Sequence, residues 1–67
     1  MKKKPKTPGA KIRAAREYAD LGQAALARAV NVSACHLWSI EHDRADPSLP
    51  LIRRIAEVLN VEPGELV

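Results

Sequence analysis

The stretch from Gln23 to Ile40 restricts the fold more than any other part of this chain. Leu26, Ala27 and Val30 recur with helical spacing on one side of Asn31-Val32-Ser33, and Leu37 and Ile40 do so on the other. Two short helices joined by a three-residue turn must cross steeply and touch closely. Such a crossing demands a small residue where the helices meet, which Ala27 supplies. It also demands a turn residue that tolerates positive φ, and Asn31 is of the type that does so most readily after glycine. Leu26, Val30, Val32, Leu37 and Ile40 supply the apolar anchors.

The flanking sequence extends this helical reading. Met1–Lys6 is too basic and too poor in apolar residues to fold alone, so residues 1–7 are expected to form a flexible arm and 8–67 the folded domain. Thr7-Pro8 combines a hydroxyl N-cap with proline at the first helical position, and Ile12, Ala15 and Ala19 then predict a first helix from Pro8 to about Ala19. Asp20-Leu21-Gly22 breaks it. The second helix is expected over Gln23–Val30, and a third, capped by Ser33, to about His42. The polar run from His42 to Pro47 reads as a loop. Ser48 caps a fourth helix that turns Leu51, Ile52, Ile55, Ala56 and Leu59 inward, Asn60 suits its C-terminal end, and Pro63 opens a last turn around Glu65-Leu66.

Composition narrows the function classes. A chain of 67 residues buries only about 60% of its unfolded surface and has little room for the large concave pocket of most enzymes. The absence of Phe, with one Tyr and one Trp, argues against a sheet-rich domain. A single cysteine makes neither an internal disulfide nor a cysteine zinc cluster. His36 and His42 do not share a helical face, so no metal or cofactor is expected. No run approaches the ~18 apolar residues of a membrane span, and the chain reads as a soluble, cytoplasmic helical module. Charge is divided unevenly. Lys2, Lys3, Lys4, Lys6, Lys11, Arg13 and Arg16 fall in residues 1–16 with no acid, whereas the rest carries four basic residues and eight acids, a balance of −4. A basic arm beside an acidic body suits a polyanionic partner such as nucleic acid.

Taken together, Gln23-Ala24-Ala25-Leu26-Ala27, Val30-Asn31-Val32-Ser33, Leu37 and Ile40-Glu41 resemble the Cro/CI-type (XRE, lambda-repressor-like) helix-turn-helix domain. The likeness continues through Pro47-Ser48-Leu49, Ile55-Ala56, Leu59-Asn60-Val61 and Leu66, covering about residues 9–67. Asn31 stands for the usual turn glycine, Gly22 for the usual Ser or Thr cap, and Asp43 for the glycine that ends the third helix. The resemblance implies an all-α, compact five-helix domain with the helix-turn-helix formed by helices 2 and 3. It further implies that Gln23 grips a phosphate, and that the third helix lies in the major groove of double-stranded DNA with Ser33, Ala34, Cys35, His36 and Ser39 exposed.

Arg44 is placed beside the groove, and Lys2, Lys3 and Lys4 of the arm are expected on the DNA. Arg16 and Glu41 fall on positions that pair in some relatives, and Trp38 is expected at the core edge. Between Ser33 and Glu41 there is no Arg, Lys, Asn or Gln, the side chains that read bases bidentately, so sequence preference would lean on DNA shape, Arg44 or the arm. The function implied is a transcriptional regulator, read as a repressor acting as a homodimer through Asp46–Leu51 and the C-terminal segment, and not an enzyme. The alternative is a protein-interaction module, such as the antitoxin of a toxin–antitoxin pair.

Overall fold

The computed structural model describes residues 5–67. Among them lie four α-helices: α1 (Pro8–Tyr18), α2 (Gln23–Ala29), α3 (Ala34–Glu41) and α4 (Leu49–Leu59). The fifth helix expected from the resemblance is instead a single 3-10 turn, Pro63–Leu66. Only four residues follow Glu62 before the turn closes, too few to propagate an α-helix. Glu62 and Glu65 lock that turn with a reciprocal capping box, the Glu65 carboxylate accepting the Glu62 N–H at 3.0 Å.

Each longer helix starts where its cap dictates. The Thr7 hydroxyl accepts the Ala10 N–H at 3.1 Å, Ser33 accepts from His36 at 3.0 Å, and Ser48 accepts from Leu51 at 3.3 Å. All four helices end in one way. Asp20, Asn31, Asp43 and Asn60 take φ of 58°, 63°, 59° and 58°. In each case the next residue's N–H turns back to a carbonyl five residues earlier: Leu21 to Arg16, Val32 to Ala27, Arg44 to Ser39 and Val61 to Ala56. Short side chains that tolerate left-handed geometry thus replace glycine at every stop. These stops fall a residue short of the expected ends, so α1 closes at Tyr18, α2 at Ala29 and α3 at Glu41. Ala19, expected to face inward, is an exposed cap residue.

One core joins the four helices and the 3-10 turn. Ile12 of α1, Leu26 and Ala27 of α2, Leu37 and Ile40 of α3, and Leu51, Ile52, Ile55, Ala56 and Leu59 of α4 are buried together with Val30 and Leu66. Leu21, Val32 and Val61, each following a left-handed residue, pack against this cluster. The same backbone reversal therefore both stops a helix and returns an apolar side chain to the core. Gly9 sets the closest approach: a Cβ there would collide with the Ile40 carbonyl oxygen and lie 2.7 Å from Asp43 Oδ1. Only a glycine lets the start of α1 rest on the end of α3.

Candidate nucleic-acid interface

Helix α3 presents its outer face because its inner one is committed. Leu37, Ile40 and Glu41 are buried. With 3.6 residues per turn, Cys35 and Ser39 fall opposite that strip, Ala34 and Trp38 to one side, and His36 to the other. Ser33, Ala34, Cys35 and His36 are exposed and Ser39 is half-buried. Two hydroxyls are already engaged with backbone: Ser33 caps the helix, and Ser39 Oγ donates to the Cys35 carbonyl at 3.1 Å. What remains toward solvent is a small-residue ridge with one imidazole. At ~1.5 Å rise per residue, α3 is about 12 Å long and of a size to enter a major groove about 12 Å wide.

The ridge is held at a fixed angle by a buried polar network. Arg16 of α1 donates from Nε to Glu41 Oε2 at 2.8 Å and from Nη2 to Oε1 at 3.1 Å, a two-pronged ion pair. Its Nη1 donates to the Leu21 carbonyl at 2.9 Å, closing the loop between α1 and α2. Gln23, the first residue of α2, donates from Nε2 to Glu41 Oε1 at 3.1 Å. The Glu41 side chain is fully buried and that of Arg16 is 12% exposed, so this carboxylate ties three helices to one point. Hydrogen bonding to the Glu41 carboxylate raises the pKa of the Arg16 guanidinium above its ordinary value, against the opposing pull of burial.

The remaining expected site residues are scattered around α3. Arg44 is exposed just past its end and lies over the Trp38 ring, 5.6 Å from the centroid. Trp38 is not at the core edge as expected. It is 41% exposed and stacks on His42, ring centroids 4.0 Å apart. The spacing of Trp38 and His42, one helical turn apart, is the sequence signal for that stack. Lys2, Lys3 and Lys4 lie outside the described residues. The Gln23 carboxamide meets Glu41 with one of its two N–H groups, which leaves the other for a second acceptor.

Residues 9–67 match the protein family described as the helix-turn-helix domain. The chain belongs to that family, in its Cro/CI-type branch. Helix-turn-helix domains are not an enzyme class. The immunity repressor protein of Bacillus phage phi105 is 36% identical over 61 residues, covering 91% of this chain but only 42% of the repressor, so the chain spans less than half of that relative. Among solved structures, the DNA-binding domain of the P22 c2 repressor superposes with a TM-score of 0.86 at 26% identity, over 96% of this chain and 84% of that one. The P22 c2 repressor in complex with a synthetic operator gives 0.85 at 27%, over 92% and 94%. The restriction-modification controller protein C.AhdI of Aeromonas hydrophila gives 0.84 at 28%, over 90% and 91%. This helix-turn-helix domain therefore shares the arrangement of its helices with two repressor structures and a controller protein. No helix among the described residues is long and apolar enough to cross a membrane.

Proposed function

We propose that this helix-turn-helix domain is a cytoplasmic DNA-binding transcriptional regulator, acting as a repressor, that lays α3 in the major groove of double-stranded DNA. The observation that carries this reading is the likeness, over 92% of the chain, to a P22 c2 repressor structure in complex with operator. The outer face of α3 supports it, being narrow, exposed and free of acids from Ala34 to Ile40. Ser33, Ala34, Cys35, His36 and Ser39 meet the groove, Gln23 offers its second carboxamide N–H to a phosphate, and Arg44 and the lysines of the arm add charge outside it. Small side chains permit close approach, and Ala34 suits contact with a thymine methyl. Base discrimination on this surface is weak, so shape and deformability of the DNA carry much of the preference.

Two copies bind an inverted repeat with half-sites about one helical turn apart. One domain this small buries too little surface for regulatory affinity, and pairing raises it through effective concentration. Leu49, 62% exposed at the start of α4, and Val67, 52% exposed at the end of the chain, are apolar enough to serve that pairing. Selection from a randomised duplex pool at near-physiological salt tests the proposal. An enriched inverted repeat supports it. Binding only at low salt, with no enrichment, would refute it.

The second reading is a protein-interaction module of the antitoxin type. What favours it is that α3 carries none of the bidentate base readers and that exposed apolar residues lie on α4 and the C-terminal segment instead. A failed duplex selection would turn the search to a protein ligand of those residues.

A further inference from the structure

The end of α3 carries a side-chain stack that major-groove docking does not require. The Trp38 and His42 rings are 4.0 Å apart and 19° from parallel. The Arg44 guanidinium, 5.6 Å from the indole centroid, lies within reach of a cation–π attraction. Three side chains that would otherwise wander in solvent are thus held against one another. His42 Nδ1 lies 2.9 Å from the Trp38 carbonyl oxygen. A carbonyl only accepts, so Nδ1 carries the proton and the neutral ring presents Nε2 as a bare acceptor. A backbone phosphate also only accepts. Neutral His42 has nothing to offer it, whereas the protonated ring offers both an N–H and a charge.

We propose that Trp38, His42 and Arg44 form a proton-gated contact for a DNA backbone phosphate at the C-terminal end of α3. Trp38 fixes the imidazole, Arg44 supplies a permanent charge, and His42 adds a second charge only when protonated. The inference rests on the DNA-binding reading above. Imidazole is the side chain whose ordinary titration falls nearest neutrality. The charged groups the structure places about this end of α3 act in both directions. Arg44, across the indole, opposes a second positive charge. The Asp43 carboxylate, which accepts the Thr7 hydroxyl of the α1 cap at 2.9 Å, favours one. So do the indole face and the C-terminal carbonyls of α3. Glu41, on the buried side, is matched by Arg16 and Gln23. An arriving phosphate tips this balance toward protonation, so DNA binding takes up a proton.

Trp38 is the chain's single tryptophan, so its emission reads the stack directly. Without DNA, lowering the pH from 8 to 5.5 should quench Trp38 emission in the wild type, because an imidazolium quenches a stacked indole, and should not do so in His42→Gln. No quenching in the wild type would overturn the stack. With a bound duplex the midpoint of that transition should rise, and inorganic phosphate at equal ionic strength should not move it. A shift with inorganic phosphate alone would mean a free-anion site and overturn the DNA contact. Over the same pH range, affinity for the duplex should tighten about tenfold, the scale of one hydrogen bond to a charged group. The slope of log affinity against log salt should steepen by about 0.9, one further phosphate neutralised. His42→Gln should lose both effects, and His36→Gln should keep the pH response whatever its affinity. A response that follows His36 refutes the assignment. If the wild type binds no duplex at any salt, the DNA-binding reading itself falls. A duplex bound with pH-independent affinity leaves that reading standing and removes this contact alone.

Discussion

Gly9 carries no functional group, yet it decides how α1 meets the helix proposed to enter the groove. Alanine is the better helix former by up to ~1 kcal/mol, but its Cβ would be driven into the Ile40 carbonyl oxygen, a backbone atom that cannot swing aside. Overpacking of this kind costs about 1–3 kcal/mol, so Gly9→Ala should lower the urea midpoint despite the propensity gain. A stabilised variant would show that α1 shifts freely. Glu41 is the other decisive residue. Glu41→Ala leaves Arg16 almost buried without its partner and should cost about 3–5 kcal/mol in chemical denaturation. The double variant Arg16→Met/Glu41→Leu should recover much of that loss, since no charge is then stranded. A double variant as unstable as the single one would mean that the pair specifies the packing itself. The sign of the Arg16 shift fixes its pH behaviour. A raised folded value gives stability that is complete below the ordinary arginine range and is lost only as pH rises through the folded value. Arg16 therefore adds no pH dependence near neutrality.

At the level of elements, the same stop is used four times and each use is testable. Asn31→Ala places a side chain without a local hydrogen-bonding group at φ 63°, where an L-residue is disfavoured by about 1–2 kcal/mol. We expect a thermal midpoint lowered accordingly, with Asn31→Gly close to the wild type. Equal destabilisation in both variants would locate the role of Asn31 in its side chain instead of its backbone. The start of α4 depends on Ser48 in the same local way, and Ser48→Ala should cost about 1 kcal/mol. The caps, the breaks and the inward faces of the helices are legible in the sequence because they arise from interactions within four or five residues. The outer face of the third helix is legible for the same reason. The expected ends overrun by a residue because Ala19, Val30 and His42, each just before a left-handed residue, already leave helical geometry as C-caps, which residue type does not signal.

For the whole molecule, the separation of charge matters most. The seven basic residues of positions 1–16 stand against a remainder of net −4, so the proposed DNA binding is expected to draw its electrostatic attraction largely from the N-terminal region. Removing Met1–Lys6 should flatten the salt dependence of duplex binding by up to about 0.9 log units for each phosphate no longer neutralised. A slope unchanged by the deletion would assign phosphate neutralisation to Arg44 and the folded body. The candidate site is only partly legible at this scale. The pairing of Arg16 with Glu41, expected by resemblance, forms in the structure. Recruitment of Gln23 to the same carboxylate has no sequence signal, because it depends on how α1, α2 and α3 converge. An indole is usually worth burying, which places Trp38 at the core edge on sequence grounds, but its position beside the outer face of α3 leaves it half-exposed on His42.

The sequence by itself determined the all-helical class, the break between the second and third helices, the caps, and the imbalance of charge, all of which follow from residue type and short-range spacing. Tertiary structure alone decided that Gly9 sits against the Ile40 carbonyl, that Gln23 is shared between Glu41 and solvent, and that Leu66 of the last turn is buried in the core. It also decided that Arg44 lies over the ring of Trp38. Interactions between residues distant in the chain depend on the angles at which whole helices pack, and those angles come from the fit of the entire core rather than from any local pattern.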